Sequence, residues 1–454
     1  MFKTYKEAYE YFYGKKNHYW DLGLDNIRNF LKHFGSPENK INIIQVAGTN
    51  GKGSVSAFMS NILIKSGFRT GRYNSPAVFE ERENITVNNI KMSEEEFTEI
   101  VNYMYDAMES SEREKKLPTV FELETAMAVI YFYKAKCDIV ILEAGLGGMT
   151  DATNVSEKNL MSVITSVSYD HMKYLGNTIG EIAKIKSGII KKNSCVVLGV
   201  NNNTACQIIS TRAKEENAVL KKVRKKNIII HESSVKGQIF SYGRFHSLCI
   251  RQAGKYQAEN SAAAIEAVLM LKEICEKGND RLLREKGSGI CEEALRAGLM
   301  ETVWHGRFET ISEKPLIIAD GAHNPDASKR LKESIEDCLK DYNIVCIMGV
   351  FKDKDYKAII KEMVPYIYRT VTVTVPDKRA LPAEDIKAAI LETAGKVNYE
   401  SKEDMEKYKI KAAQNYSEAI KSAEEMAKEY SMENGRETAI IAFGSLSYLK
   451  YIKK

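Results

Sequence analysis

With 454 residues the chain is long for one domain and comfortable for two or three. It is 44% apolar and 28% charged, and 66 basic against 61 acidic side chains leave a net charge of +5, which gives no case for a nucleic-acid partner and does not repel an anionic substrate. Eight scattered cysteines without a C-x-x-C pair, no apolar leader in "MFKTYKEAYEYFYG" and no window of about 18 apolar residues argue against a cysteine-held zinc site, a secretory signal and a membrane span, so a cytoplasmic protein with no membrane partner is expected.

Residues 1–40 read as amphipathic helix, with Tyr5, Tyr9, Phe12, Ile27, Phe30 and Leu31 on apolar stripes. "NIIQVA" (42–47) is a short buried strand that enters the glycine-rich "VAGTNGKGSV" (46–55), and "SVSAFMSNILIKSGF" (54–68) continues with helical periodicity. "SSEREKKL" (110–117) reads as a charged loop, "FELETAMAVIYFYKA" (121–135) as helix and "CDIVILEAG" (137–145) as a second strand. Further apolar runs follow at 160–167 and 194–200, an alternation that predicts a mostly parallel sheet with both faces covered. From 221 to 256 three short runs predict a small antiparallel side sheet, and 258–275 returns to helix. Strand–turn–helix order restarts at "PLIIADGAHNP" (315–325) and continues through 343–351, 369–376 and 439–452, which places a boundary near 298–306 and two domains at 1–300 and 301–454.

A glycine-rich turn between strand and helix exposes backbone N–H groups at the positive end of the helix. Gly48, Gly51 and Gly53 permit that path, Lys52 adds a point charge for phosphates, and Ser54 can reach a magnesium ion. The spacing differs from G-x4-G-K-[ST], because Val46 takes the first glycine's place and Gly53 separates Lys52 from Ser54. Such a loop needs a partner acid, and Glu143 stands at the carboxyl end of the second strand, ahead of flexible glycines. His171, beside Asp170, reads equally as a ligand to a hard metal or as a surface histidine. Lys184 and Lys186 precede Gly188, where a helix end with basic residues is the default reading; residue physics alone does not choose a functional lysine there.

Ten segments then occur together in one order, among them "DLGLDNIRNFLKHFGSPE" (21–38), "VAGTNGKGSV" (46–55), "YNSPAVFEERENITVN" (73–88), "ILEAGLGGMTDATN" (141–154), "SYDHMKYLGNTIGEIAKIKSGIIK" (168–191), "WHGRFE" (304–309), "DGAHNPDA" (320–327) and "FGSL" (443–446). In these the chain resembles folylpolyglutamate synthase, including its bifunctional dihydrofolate synthase forms, within the Mur ligase superfamily. The resemblance implies an α/β protein: an N-terminal P-loop ATPase domain with a mostly parallel sheet and a small side sheet, and a C-terminal Rossmann-like α/β domain. It implies an ATP-dependent ligase that adds L-glutamate to a folate or to dihydropteroate through an acyl phosphate, with ATP and Mg2+ as cofactors, K+ as a further candidate cation, and a monomeric state. It assigns ATP to Thr49, Asn50, Gly51, Lys52, Gly53, Ser54, Asn260, Arg307 and Asp320, and the metal to Ser54, Ser75, Glu143 and His171. Lys186 matches a lysine carbamylated in relatives, His323 becomes a candidate for the amine proton, Lys52 for charge in transfer, and Ser445 lies in the segment matched to the incoming glutamate.

Two departures touch the substrate side. Where the family often has "TSPH" this chain has Asn74-Ser75-Pro76-Ala77, and where it often has "GGRLDATN" this chain has Met149 in place of the basic residue. A sibling ligase acting on a UDP-sugar peptide would share the P-loop logic, but the short stretch ahead of Gly48 leaves no room for a UDP-binding domain. A P-loop switch would not need "DGAHNPDA".

Overall fold

The computed structural model describes residues 1–15, 23–200, 202–278, 280–397, 408–446 and 449–452. Residues 21–22 of the first quoted motif, and 447–448 within the last apolar run, lie outside them. The chain groups into two compact units: Met1–Ser168, Met172–Lys225 and Glu259–Thr302 form the first, and Tyr169–His171, Lys226–Ala258 and Val303–Lys454 the second.

In the first unit eight strands form one sheet: β1 (Ile43–Ala47), β2 (Thr70–Tyr73), β3 (Ile85–Val87), β4 (Ile90–Lys91), β5 (Ile139–Glu143), β6 (Met161–Ile164), β7 (Cys195–Leu198) and β8 (Val219–Lys222), in the order β4-β3-β2-β5-β1-β6-β7-β8. β2, β5, β1, β6, β7 and β8 run parallel; β3 is antiparallel to β2, and β4, antiparallel to β3, runs in the common direction again. β1 and β5 are buried along their whole length, which is why they read as continuous apolar runs. The helix Lys52–Lys65 is buried on most of its circumference, because the sheet takes one side and the helix Glu292–Glu301 the other. There Gly298 lets the two backbones touch, since a Cβ on it would lie 2.5 Å from Ile62 Cα. Truncating a fully buried side chain of this layer, such as Phe58, would cost about 3–5 kcal/mol.

Helix starts are set locally. Thr4 with Glu7, Ser93 with Glu96, Thr119 with Glu122 and Thr178 with Glu181 each form a reciprocal capping box that satisfies two otherwise unpaired N–H groups. The helix Glu94–Arg113 corrects the reading of 110–117 as loop for residues 110–113 only, with 114–117 following as turn and loop: the last helical turn is charged because it faces solvent, and a polar helix end looks like a loop in sequence.

The second unit holds a six-stranded sheet of β12 (Glu309–Glu313), β13 (Leu316–Ala319), β14 (Asn343–Met348), β15 (Arg369–Val373), β16 (Lys409–Ala413) and β17 (Thr438–Phe443), ordered β12-β13-β17-β14-β15-β16 and parallel except for β12. It also holds an antiparallel sheet of β9 (Ile228–Ser234), β10 (Gly237–Tyr242) and β11 (Phe245–Ile250). Sequence order puts 226–258 ahead of the boundary, yet contacts group these residues with the second unit. Ser233 Oγ lies 3.5 Å from Cys338 Sγ, Thr310 Oγ1 donates to Val235 O at 3.4 Å, and Lys255 pairs with Asp337 at 3.0 Å. No helix among the described residues is long and apolar enough to cross a membrane.

Candidate active site

The strand order of the first unit lines up four carboxyl ends, those of β2, β5, β1 and β6, and in parallel sheets ligands bind at such ends. The turn after β1 is stitched to the segment after β6. Thr49 N donates to Ser166 O at 2.9 Å and Thr49 Oγ1 to Ser168 O at 3.1 Å. Asn50 N donates to Ser166 Oγ at 2.8 Å, and Asn50 O accepts from Thr165 Oγ1 at 2.7 Å. Two glycines are required by this packing. A Cβ on Gly48 would overlap Thr165 Oγ1, and one on Gly51, whose φ is +86°, would strike Asn260 Oδ1. Asn260, on the helix Lys255–Lys277, therefore borders the loop.

Gly51 caps the helix that starts at Lys52, so the amides and the lysine share the positive end of one helix. Lys52 Nζ reaches back to Gly48 O at 3.2 Å and Thr49 O at 3.4 Å, and stands 3.9 Å from Glu143 Oε1. Ser54 Oγ is buried with no hydrogen-bond partner among the described residues. A buried hydroxyl two residues beyond the lysine, without a hydrogen-bond partner among the described residues, fits an oxygen ligand to a hard cation. Glu143 ends β5 and is buried, with Oε2 accepting from Asn74 Nδ2 at 2.5 Å. Ser75 follows Asn74 and is half-buried. Thus Gly51 and Asn260, and Lys52 and Glu143, come together, Ser54 lies two residues beyond Lys52, and Ser75 is next in the chain to a residue that touches Glu143.

Behind Glu143 the glycine loop turns at Asp151. Its carboxylate accepts from Leu146 N at 2.7 Å and Thr153 N at 3.0 Å, and burial raises its pKa despite those bonds. Met149 N donates to Ile185 O at 2.9 Å, which ties this loop to the helix Ile179–Ser187. Lys184 and Lys186 lie in the last turn of that helix, the helix end with basic residues that the sequence suggests, and Lys186 is only 3% exposed: this lysine is inside.

The second unit gathers another set. Asp320, just past β13, accepts from Phe308 N and Ala322 N, each at 2.8 Å, and from the Tyr256 hydroxyl at 3.2 Å. Burial pushes its carboxyl above the usual range, although the Arg307 guanidinium and the N–H donors pull the other way. Arg307 Nη1 donates to Gly306 O at 2.9 Å, and a Cβ on Gly321 would strike both Arg307 and Leu446, so Ser445's loop after β17 lies by Arg307. Ser445 itself is buried. His323 Nδ1 sits 2.7 Å from Gly321 O, and its Nε2 is 3.7 Å from Asp170 Oδ2.

Asp170 is the hub here. It accepts from Asn324 Nδ2 at 3.0 Å and from Lys354 Nζ at 2.8 Å. Burial alone would raise its pKa, but the His323 hydrogen bond and the charge of Lys354 outweigh it and hold the carboxyl far below the ordinary carboxylate range. His171 belongs to this cluster, with Nε2 3.2 Å from Lys354 Nζ and φ +49°. Sequence reasoning missed Lys354, Thr165, Ser166, Asn324 and Arg72. No apolar run marked Arg72, which lies in the stretch "TGRY".

The Mur ligase middle domain matches residues 46–268, and the Mur ligase, glutamate ligase domain matches residues 306–445, so the class is that of the Mur-type ligases. Over 393 residues, 85% of this chain and 89% of the relative, the chain is 35% identical to the dihydrofolate synthase/folylpolyglutamate synthase of Bacillus subtilis (strain 168). It belongs to the dihydrofolate synthase/folylpolyglutamate synthase family. Among solved structures, the folylpolyglutamate synthase of Thermotoga maritima is similar with a TM-score of 0.76 at 28% identity, over 99% of this chain and 95% of that one. The Mycobacterium tuberculosis folylpolyglutamate synthase complexed with ADP shares the fold with a TM-score of 0.85 at 24% identity, over 99% and 97%.

Proposed function

We propose that this chain, acting as a monomer, is an ATP-dependent ligase that joins L-glutamate to a folate, and that dihydropteroate is a second acceptor. The observation that carries the reading is the first unit's loop: a lysine at a helix N-terminus, an unpartnered buried hydroxyl and a strand-end carboxylate, in a chain of this family. Forming an amide from a carboxylate in water is uphill. In the proposed sequence the folate carboxylate attacks the γ-phosphorus of ATP, ADP leaves, and an acyl phosphate forms. The glutamate amine then adds to the acyl carbon, loses a proton, and expels phosphate.

Bringing two unit negative charges to ~4 Å costs about 4 kcal/mol at an effective dielectric of ~20, so the site needs cations. Lys52 and the amides of Gly51 and Gly53 neutralise the phosphates and hold the charge in transfer. Thr49, Asn50 and Asn260 shape the loop around the nucleotide. Ser54, Ser75 and Glu143 would be the oxygen donors for Mg2+, which when bound would supply Lewis-acid polarisation of phosphate oxygens. His171, the fourth residue assigned to the metal, would add a nitrogen donor. Lys186 is carbamylated, which turns a cation that is costly to bury into an anion suited to a second metal. In the second unit Arg307 and Asp320 serve the nucleotide, His323 takes the amine proton, and Ser445 serves the glutamate.

The deciding experiment incubates the chain with ATP, Mg2+ and L-glutamate plus tetrahydrofolate or dihydropteroate in turn. Glutamylated product by mass spectrometry, with phosphate release that depends on glutamate, is expected from both acceptors. Phosphate release indifferent to glutamate, with no new amide, overturns the reading.

A further inference from the structure

β2 carries a buried arginine that none of the roles above employs. Arg72 is 8% exposed and sits in register between Thr86 of β3 and Ile141 of β5. Burial lowers its pKa to about 10, with the negative charges of Glu143 and Glu83 acting in the opposite sense. Taking a guanidinium out of water costs several kcal/mol, and an apolar side chain would serve a sheet interior better. The cost needs a compensating purpose.

The hydrogen bonds supply one. Arg72 Nη1 donates to Asn74 Oδ1 at 2.6 Å, Asn74 Nδ2 donates to Glu143 Oε2 at 2.5 Å, and Glu143 Oε1 stands 3.9 Å from Lys52 Nζ. The four groups form one line of cation, amide, carboxylate and cation, all within the first unit. An amide has one accepting and one donating end. With the guanidinium on the accepting end, the donating end must face Glu143, and polarisation along the line strengthens that second bond. One carboxylate oxygen is thereby fixed, and the other is directed to the lysine side of the loop. Asn74 stands where the "TSPH" pattern has threonine, so the line belongs to this chain and not to the pattern.

We propose that Arg72 and Asn74 are positioning residues that aim the Glu143 carboxylate at the divalent cation accompanying ATP. The inference rests on the reading of Glu143 as a metal ligand, and its test separates the two. The probe is Mn2+, titrated by electron paramagnetic resonance against the full chain with the non-hydrolysable nucleotide AMPPCP present. Urea unfolding of each variant checks that it is folded. Glu143→Gln tests the ligand itself, while Arg72→Met and Asn74→Leu cut the line at two points. Residues that orient a metal ligand typically contribute 10–100-fold in affinity, so each cut should weaken Mn2+ binding about tenfold or more. The double variant should bind no more weakly than the worse single one, because both break the same line. If Arg72→Met does not fold, Asn74→Leu and Asn74→Ala carry the test. Unchanged Mn2+ affinity in Glu143→Gln overturns the ligand reading and the inference with it. Loss in Glu143→Gln with none in the other variants, or losses that multiply in the double variant, overturns the inference and leaves the ligand reading standing.

Discussion

The phosphate loop of the first unit and the Asp170 cluster of the second are both held tightly, but by different forces. Around the loop the fixing groups are neutral: backbone amides, and the hydroxyls of Thr49, Thr165 and Ser166. Around Asp170 a full charge takes part: Lys354 at 2.8 Å, beside the Asn324 amide at 3.0 Å, both against a carboxylate with a 9% exposed side chain. Neutral hydrogen bonds contribute about 1 kcal/mol each and depend little on pH or salt. They leave the one charge of the loop, Lys52, available for a ligand. A buried ion pair is fragile in a different way, because removing one partner strands the other. The comparison teaches that in the loop, losing the charge should damage function before stability, and in the cluster the reverse.

Four substitutions press on that contrast. Lys52→Ala should lower glutamate-dependent phosphate release about 10³-fold while the thermal midpoint moves less than for Asp170→Asn, because Lys52 bonds to carbonyls of its own loop and stands 3.9 Å from Glu143 rather than in a close ion pair. A large fall in the midpoint would break the contrast. Asp170→Asn should cost about 3 kcal/mol in urea unfolding at neutral pH, since Lys354, with a side chain 8% exposed, loses its carboxylate. A change within error would show that the cluster is not the anchor of its unit.

Gly51→Ala probes steric rather than ionic fixing. A φ of +86° and the Asn260 amide in the way should cost about 2 kcal/mol and lower nucleotide affinity in a binding titration. The smallest effect is expected at Lys191, a first-unit lysine whose Nζ reaches Asn154 O at 3.4 Å. Burial, reinforced by Arg28, lowers its pKa to about 8. Folding thus favours the neutral amine. The penalty is present in full below pH 8 and fades as pH rises towards the ordinary lysine value of ~10.4. Lys191→Met should therefore stabilise the chain by about 1 kcal/mol at pH 7, after discounting for solvent screening, and by progressively less in melts run up to pH 10. A gain independent of pH would assign the effect to packing instead.

Much of this was legible along the chain. The strand, glycine loop and helix from Ile43 to Lys65 lie within one local stretch, and Glu143 announced itself by ending an apolar run. The three side-sheet strands and the helix Lys255–Lys277 also followed from local pattern. β2, β3, β4, β8, β12 and β16 were not read. They are short or lie at sheet edges, and β8, for example, exposes most of its side chains, so no apolar signal marks it.

The sequence by itself determined the order of strands and helices, the loop that needs glycine at 48 and 51, and, through resemblance, the family. Periodicity and capping are local properties, so local sequence carries them. Only the tertiary structure decided that Lys186 is inside, that residues 226–258 group with the second unit, that Lys354 answers Asp170 across 184 positions, and that Arg72 and Asn74 reach Glu143. These are pairings between distant segments, and their strength comes from burial, which no short stretch of chain records.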